Sequence, residues 1–168
     1  RIELSGYEAD DLIASYSKFF TKKGWEVSII SSDKDLMQLI NDKVHMVDPI
    51  KNKLIKKKEV IEKFGVAPEK VIDVQSLAGD SIDNIPGAPG IGLKTGALLI
   101  NEYGSLENLF LNFSKIKQNK RREAIENNLE AIKVSKQLVT LKDDIKLNID
   151  IDKISGCETN VSKLIPFL

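Results

Sequence analysis

Two kinds of chemistry meet in the run Gly79-Asp80-Ser81-Ile82-Asp83-Asn84-Ile85-Pro86-Gly87-Ala88-Pro89-Gly90-Ile91-Gly92-Leu93-Lys94-Thr95. Asp80 and Asp83, three residues apart, supply carboxylates that can hold a hard divalent cation. The glycine-rich turn after them can present backbone N–H groups to a phosphate at the start of a helix. Carboxylates that can bind a metal, next to a glycine-rich turn that can bind a phosphate, suggest phosphodiester chemistry.

Two further acidic clusters precede that run. The first opens a predicted helix over Tyr7–Lys23, whose apolar residues recur at helical spacing. The second directly follows a predicted buried strand, Trp25–Ser31. Sites in open α/β sheets form at the carboxyl ends of strands, so we expect the three clusters to converge there. Such a site can hold two metal ions about 3.5–4 Å apart. The acids of the two clusters are Glu8, Asp10, Asp11, Asp33 and Asp35.

These motifs resemble those of a known family. The stretches Gly6–Asp11, Ser32–Asp35 and Gly79–Thr95 follow the order and spacing found in the 5′-nuclease domains of bacterial DNA polymerase I and, more widely, in the flap endonuclease family. The resemblance runs through the whole chain and is densest from Gly6 to Gly104. It implies an α/β fold of the PIN/flap-endonuclease type, with a mainly parallel sheet and flanking helices. A helical helix-hairpin-helix (helix-two-turn-helix) subdomain is expected to follow.

The resemblance also implies a function. It is that of a structure-selective 5′-3′ exonuclease and flap endonuclease, which hydrolyses phosphodiesters of DNA and RNA primers in replication and repair. The implied cofactors are two Mg²⁺ or Mn²⁺ ions at the acids and K⁺ at the hairpin loop. The implied partner is DNA with a 5′ flap, a nick or an RNA primer, with a polymerase domain in the same parent chain. The implied location is the bacterial cytoplasm, at the nucleoid.

Roles for individual residues follow from the same resemblance. Metal ligands on the side of the first ion would be Glu8, Asp10, Asp11 and Asp33. Those on the side of the second would be Asp35, Asp80 and Asp83. All of these except Asp11 are also predicted to be catalytic. The residues predicted to bind phosphates of the unbroken DNA strand are Gly90, Ile91, Gly92, Lys94 and Thr95.

Parts of the family pattern are absent from this sequence. The family begins with a strand that carries a metal-binding aspartate, then a second aspartate, basic residues and a helical arch that threads the DNA 5′ end. The sequence starts at Arg1, so we expect a C-terminal portion of the nuclease domain with impaired activity in isolation. The expected domains are a partial α/β nuclease core over 1–75, a helical DNA-binding subdomain over 76–144, and a tail over 145–168 that packs back on the domain.

Composition fits a soluble globular chain. The 168 residues are 42% hydrophobic, and the single cysteine, Cys157, excludes an internal disulfide. No signal peptide or membrane-spanning run is present. The 25 basic and 25 acidic residues cancel, which alone argues against nucleic-acid binding. Two lysine-rich stretches, 51–58 and 115–122, weaken that argument, because a protein with an acidic pocket beside basic surfaces can also have a net charge of zero. They can equally be two solvated surfaces.

Local signals predict further elements. Apolar patterning and Gly or Ser punctuation delimit each of them. Trp25 and Tyr103 are expected in the core, and His45 at a strand edge. Gly96 departs from the alanine usual in the family and should cost its helix up to about 1 kcal/mol. The predicted elements are a short helix Lys34–Ile40, a strand Val44–Asp48, helices Lys57–Phe64 and Leu93–Tyr103, a helix begun by Ser105, and a long helix from Lys120 to about Leu141.

Less specific interpretations of the motifs stay open. Ser5 and Glu8 fit a helix capping box, and Asp33 and Asp35 can cap the helix that starts near Lys34. In that case the protein is a non-catalytic DNA-binding fragment. A PIN-type ribonuclease shares the acidic α/β site but generally lacks the hairpin. A nucleotide-binding P-loop is disfavoured, because Leu93 intervenes before Lys94.

Overall fold

The sheet has three strands in a computed structural model that describes residues 2–147. They are β1 (Val27–Ile30), β2 (Val44–Asp48) and β3 (Lys53–Ile55), in the order β1-β2-β3. β1 and β2 are parallel, with Val27 opposite Val44. β3 returns antiparallel to β2 through a tight turn that the sequence did not predict. This turn is closed by Asp48, whose Oδ1 accepts hydrogen bonds of 3.0 Å from the N–H groups of Ile50 and Lys51.

Helices make up most of the described chain. Three short 3₁₀ helices, Asp35–Leu39, Pro68–Lys70 and Phe113–Lys115, connect larger elements. No helix within residues 2–147 is long and apolar enough to cross a membrane. The α-helices of that region are α1 (Ala9–Lys22), α2 (Lys57–Phe64), α3 (Val71–Ala78), α4 (Leu93–Tyr103), α5 (Leu106–Asn112), α6 (Asn119–Glu126) and α7 (Leu129–Val139).

The core centres on α3, which packs against both α4 and α7. Val71, Val74 and Leu77 of this helix are fully buried, and burial of each such side chain contributes about 1.5–3 kcal/mol. Gly96 of α4 lies against α3, since a Cβ added there would be 3.3 Å from the Val74 carbonyl oxygen. The two helices therefore approach closely at this glycine.

The predicted long helix Lys120–Leu141 is wrong. The chain leaves α6 at Glu126 and begins α7 at Leu129. Asn128 explains the break, because its Nδ2 donates a 2.8 Å hydrogen bond to the Ala124 carbonyl and so competes with the helical backbone pattern.

The predicted burial of β1 is only partly correct. Ile29 is buried, but Ile30 is 63% exposed, because successive side chains alternate between the two faces of β1 and Ile30 shares the exposed face with Ser28. Trp25 is also not a core residue, being 52% exposed, with its ring 5.2 Å from that of Phe20 at the end of α1. Tyr103 packs against the core, as expected.

The predicted C-terminal tail is described only as far as residue 147. In that part, Ile145 is buried and its N–H donates a 3.2 Å hydrogen bond to the Ser15 hydroxyl on α1. The remainder of that prediction, over residues 148–168, lies outside the described residues.

Candidate active site

A cavity of about 900 Å³ opens where β1, the start of α1 and the loop after α3 meet. Five of the seven predicted acids line it, and they come from three separate elements. Apolar side chains from the loop after α3 and from the end of α7 form another part of its wall. The acids of the cavity are Glu8, Asp10, Asp33, Asp35 and Asp83.

The start of α1 places Glu8 and Asp10 at this cavity. The N-cap of the helix is Glu8 and not Ser5, because Gly6 at φ +86° turns the chain between them. The Glu8 N–H donates to Asp11 Oδ2 at 3.4 Å, and Asp11 Oδ1 accepts a 2.9 Å hydrogen bond from the Lys142 N–H. Asp11 therefore ties α1 to the segment after α7, and it does not line the cavity.

The loop after β1 holds Asp33 and Asp35. Asp33 Oδ1 accepts a 2.9 Å hydrogen bond from the N–H of Asp35, the first residue of the following 3₁₀ helix, while its side chain lines the cavity. Asp35 Oδ1 accepts a 2.5 Å hydrogen bond from Gln75 Nε2 on α3. Gln75 is 6% exposed, and its Oε1 is buried without a hydrogen-bond partner among the described residues.

Two glycines fix the loop that carries Asp80 and Asp83. Gly79 and Gly87 have φ of +66° and +57°, and a Cβ on Gly79 would lie 2.6 Å from the Ile85 carbonyl oxygen. Asp80 and Ile85 exchange two backbone hydrogen bonds, of 2.9 and 2.7 Å, and so close the loop. Only glycine tolerates both the backbone conformation and this close approach.

Asp80 does not line the cavity. Its Oδ1 accepts a 2.9 Å hydrogen bond from the Ile82 N–H, and its Oδ2 forms an ion pair with Lys34, which does line the cavity. The hydrogen bond from Lys34 is the main cause that holds the pKa of Asp80 below its ordinary value. Lys34 is thus a cation that belongs to the protein itself, placed within the acidic region.

The other acids repel one another. Burial, followed by the charges of Asp33 and Asp35, raises the pKa of Asp10. Burial also raises the pKa of Asp35, helped by Asp33 and Asp83 and opposed by the hydrogen bond from Gln75. Raised carboxyl pKa values report negative charge that lacks compensation, which a bound cation would supply.

The donor set fits a hard divalent cation such as Mg²⁺ or Mn²⁺, because carboxylate oxygens are the ligands that these ions prefer. Within residues 2–147, however, no three side chains of His, Cys, Asp or Glu are close enough to one another to hold one ion. The acids therefore surround a cavity and do not form a closed coordination shell.

The predicted phosphate-binding turn leads into α4, with Gly92 at its N-cap. A Cβ added at Gly90 or Gly92 would meet no atom within 4 Å, so both backbones face open space. Lys94 is exposed and Thr95 is half-buried. Ile91 differs from the prediction, because its side chain is 3% exposed and its N–H donates to the Ala88 carbonyl at 3.0 Å. It anchors the turn and has no free N–H for a phosphate.

Several residues at the cavity were not predicted. The sequence contains a weak signal for Gln75, which is a polar residue inside an apolar helix just before Gly79. It contains no signal that would place Lys34 or Lys63 at the site. The wall from the end of α7 depends on a clamp, because Gln38 donates to the Val139 carbonyl at 2.9 Å and accepts from the Leu141 N–H at 3.2 Å. No local pattern encodes such a contact.

Comparison with known families and structures decides the assignment. Residues 1–65 match the family described as 5′-3′ exonuclease, N-terminal resolvase-like domain, and residues 66–162 match 5′-3′ exonuclease, C-terminal SAM fold. The chain belongs to the 5′-3′ exonuclease family. This result confirms both the resemblance predicted from three motifs and the predicted fold class.

Relatives of this exonuclease-family chain include longer proteins. DNA polymerase I of Rhizobium leguminosarum is 50% identical over 167 residues, which cover 99% of this chain and 16% of the polymerase. The 5′-3′ exonuclease of Aquifex aeolicus is 38% identical over 163 residues, covering 97% of this chain and 55% of that protein. The chain therefore spans only part of each relative.

A solved structure shares the fold. The bacteriophage T5 D15 flap endonuclease, crystallised as a pseudo-enzyme-product complex with DNA and metal ions, matches with a TM-score of 0.74 at 27% identity. The match covers 84% of this chain and 52% of the phage protein. The chain thus belongs to a family of nucleases, and in its fold five acids surround one cavity.

Proposed function

We propose that the protein is a structure-selective, metal-dependent 5′ nuclease that hydrolyses phosphodiester bonds of DNA and RNA primers. The observation that carries this proposal is the meeting of five acids from three separate elements around one cavity. Burial, with a smaller contribution from the charges of neighbouring acids, raises the pKa values of Asp10 and Asp35, which is the electrostatic state expected of an acidic site that takes up cations.

The acids of the cavity would hold two Mg²⁺ or Mn²⁺ ions, with Asp80 joining them when Lys34 releases it. Bound ions of this kind activate a water as nucleophile and stabilise the charge on the leaving oxygen. The protein's own contribution is positioning: Gln75 holds Asp35, and the Gly79–Gly87 contact holds the loop of Asp83. Family membership supports this division of roles.

The hairpin would hold the unbroken strand. We propose that the backbone at Gly90 and Gly92, with Lys94 and Thr95, binds phosphates without reading sequence. The open space at both glycines supports this, since a phosphate can approach the main chain there. We extend the proposal to K⁺ at this loop, as the family resemblance implies.

The proposed substrate is DNA with a 5′ flap, a nick or an RNA primer, acted on in replication and repair at the nucleoid in the cytoplasm. The phage relative crystallised with DNA and metal ions supports the substrate class. The Rhizobium relative supports a polymerase domain in the same parent chain. No three of the described acids lie close enough together in this structure to hold one ion, so we propose that the 168-residue chain cleaves more slowly than the Aquifex aeolicus exonuclease.

A non-catalytic DNA-binding function is the second candidate. It is favoured by the structural roles of three acids: Asp11 and Asp33 accept backbone hydrogen bonds, and Asp80 forms an ion pair. A PIN-type ribonuclease is less well supported, because it leaves the hairpin without a role.

Cleavage of a synthetic 5′-flap duplex in Mg²⁺ or Mn²⁺ separates these functions. We expect slow cleavage by the chain and a loss of about a hundredfold or more in Asp35→Asn, the scale on which removal of one electrostatic stabiliser slows catalysis. The matched control is Asp42→Asn, which alters an exposed acid outside the cavity and should retain the rate. Flap binding without metal-dependent cleavage would favour the second candidate.

A further inference from the structure

Lys63, at the end of α2, lies where three cavities meet. In the carboxylate cavity it is accompanied by Lys34. A second cavity, of about 270 Å³, is lined by Lys63 together with Lys51 and Lys53. A third, of about 350 Å³, is lined by Lys63 together with Lys94 of the hairpin helix. One side chain thus shares a cavity with the acids and another with Lys94, one of the predicted phosphate-binding residues.

Lys63 has no ion-pair partner among residues 2–147. Of the four lysines that share these cavities with it, Lys34 and Lys51 form ion pairs, whereas Lys53 and Lys94 do not within the described part of the chain. The Lys63 ammonium lies 5.9 Å from the centroid of the Phe64 ring, which leaves its charge without an anion among the described residues. On its own helix, Lys57 pairs with Asp42 at 2.8 Å and Lys58 with Glu62 at 3.9 Å.

The carboxylates nearest to Lys63 in the second cavity are engaged elsewhere. Asp48 accepts two backbone hydrogen bonds in the β2–β3 turn and lies 3.8 Å from the Lys51 ammonium. Glu59 accepts a 2.8 Å hydrogen bond from the Lys56 N–H, and Glu62 faces Lys58. The positive charge of Lys63 therefore has no anionic neighbour committed to it.

Its surroundings are unfavourable for a cation in the free protein. The residue as a whole is exposed, but its ammonium is partly shielded from solvent. This shielding is the main cause that lowers the pKa of Lys63, and the positive charges of Lys34 and Lys51 lower it further. The charges of Asp35 and Asp33 oppose that effect. An anion placed among these lysines would relieve the repulsion.

We propose that Lys63 binds a DNA backbone phosphate located between the hairpin and the carboxylate cavity, a role that rests on the proposed nuclease function. Among the residues that line the described cavities, only Lys63 borders both the carboxylate cavity and the one beside Lys94, so it is placed to contact a strand that runs between them. Lysine binds such a phosphate as a point charge, so the contact adds affinity without sequence preference.

The test is binding of the 168-residue chain to a synthetic 5′-flap DNA duplex, without divalent ions, over a series of salt concentrations. Loss of one phosphate contact should lower the slope of log affinity against log salt by about one. Lys63→Ala and Lys63→Gln should both show this, with about tenfold weaker binding at 0.1 M salt than the wild type and nearly equal binding at 1 M. Lys63→Arg should restore the slope.

Lys58→Ala is the matched control, because Lys58 lies on the same helix, is exposed and borders a different cavity. It should leave the slope unchanged. Thermal melts of Lys63→Gln, which keeps much of the aliphatic stem, exclude a loss of folding as the cause. If Lys63→Gln melts like the wild type and binds like Lys58→Ala, the inference is overturned.

A scan with single neutral methylphosphonates locates the contact. At one phosphate, the substitution should weaken binding of the wild type but not of Lys63→Ala, which matches that phosphate to Lys63. A second phosphate should be matched to Lys94 in the same way with Lys94→Ala. The phosphate matched to Lys63 should lie between the one matched to Lys94 and the 5′ end. A matched phosphate outside that interval would overturn the inference. Absence of any flap binding by the wild type would instead contradict the proposed function, so the two failures are distinguishable.

Discussion

Lys34 and Asp80, 46 residues apart in sequence, form an ion pair that joins the loop after β1 to the loop after α3. The pair is substantially shielded, with the side chains 33% and 16% exposed. The Lys34 ammonium thereby neutralises the Asp80 carboxylate without a metal ion. A divalent ion that recruits Asp80 must first displace the Lys34 ammonium.

Removal of Lys34 should therefore change stability and metal response in opposite directions. Lys34→Ala leaves a mostly shielded carboxylate unpaired, which should lower the metal-free free energy of unfolding by about 1–3 kcal/mol. Mn²⁺ should then raise the melting temperature more than in the wild type, because Asp80 is free to bind it. Thermal melts in EDTA and in Mn²⁺ measure both effects. Lys57→Ala, which breaks an exposed pair, serves as control, and an equal Mn²⁺ response in all three proteins would contradict the competition.

The pH dependence of stability should differ in sign between Asp10 and Asp80. The pKa of Asp10 is raised in the folded protein, so its contribution falls as pH rises from the ordinary value of 3.8 through the folded-state pKa. Asp10→Asn should remove that fall and stabilise the metal-free protein at neutral pH. Urea unfolding in EDTA at several pH values measures this. A variant less stable than the wild type at pH 7 would contradict the repulsion among the acids.

Asp80 provides the opposite case. Its pKa is lowered, so its contribution is present above the ordinary value of 3.8 and is lost as pH falls through the folded-state pKa. Asp80→Asn should be destabilising at neutral pH, and the difference from the wild type should vanish in acid. The same unfolding series measures it, and a difference that grows on acidification would refute this sign.

Three glycine substitutions should separate folding from phosphate binding. Gly92→Ala meets no atom and has φ of −91°, so stability should fall by no more than about 1 kcal/mol, the cost of alanine in place of glycine at an N-cap, while flap binding weakens. Gly90→Ala is strained by φ of +78°, at a cost of about 1–2 kcal/mol. Gly79→Ala adds a 2.6 Å backbone clash to a similar strain and should cost about 2–5 kcal/mol. Melting temperatures and flap affinities measured together test this order, and full affinity in Gly92→Ala would make the turn a simple connector.

Gln75 should affect metal binding more than stability. Gln75→Leu removes the hydrogen bond to Asp35, which raises the pKa of Asp35 further, but it also removes a buried oxygen that lacks a partner. Mn²⁺ affinity should fall about 10- to 100-fold, as for loss of other groups that orient ligands. The metal-free melting temperature should change little. Mn²⁺ titration followed by calorimetry measures the affinity, and an unchanged value would show that Asp35 needs no such support.

Elements with local stop signals were predictable to the residue. Gly65, in the left-handed conformation at φ +74°, ends α2, and Gly104 at φ +90° ends α4, both as expected. Ser105 caps α5 through a 3.2 Å hydrogen bond from the Asn108 N–H. The sequence also predicted that acids of three elements would converge, and five of the seven predicted acids do line one cavity, whereas two do not.

What depends on tertiary contact was not predictable. The exposure of Trp25 follows from how the neighbouring elements pack. Gly96 shows the difference clearly: helix propensity predicts only a cost at this position, whereas its close approach to Val74 on α3 explains why a small residue fits. The partners of Asp35 and Asp80 are likewise set by packing.

The hydrogen bonds of Gln38 to the segment at the end of α7 determine the stage of synthesis at which the cavity can form. This side chain bonds to backbone groups 101 and 103 residues further along the chain. During synthesis the acids emerge from the ribosome before α7, which carries the opposite wall, and a domain folds as a unit once its segments are available. The nascent protein therefore exposes its carboxylates as an open edge, and the cavity closes only when the last described helix has docked.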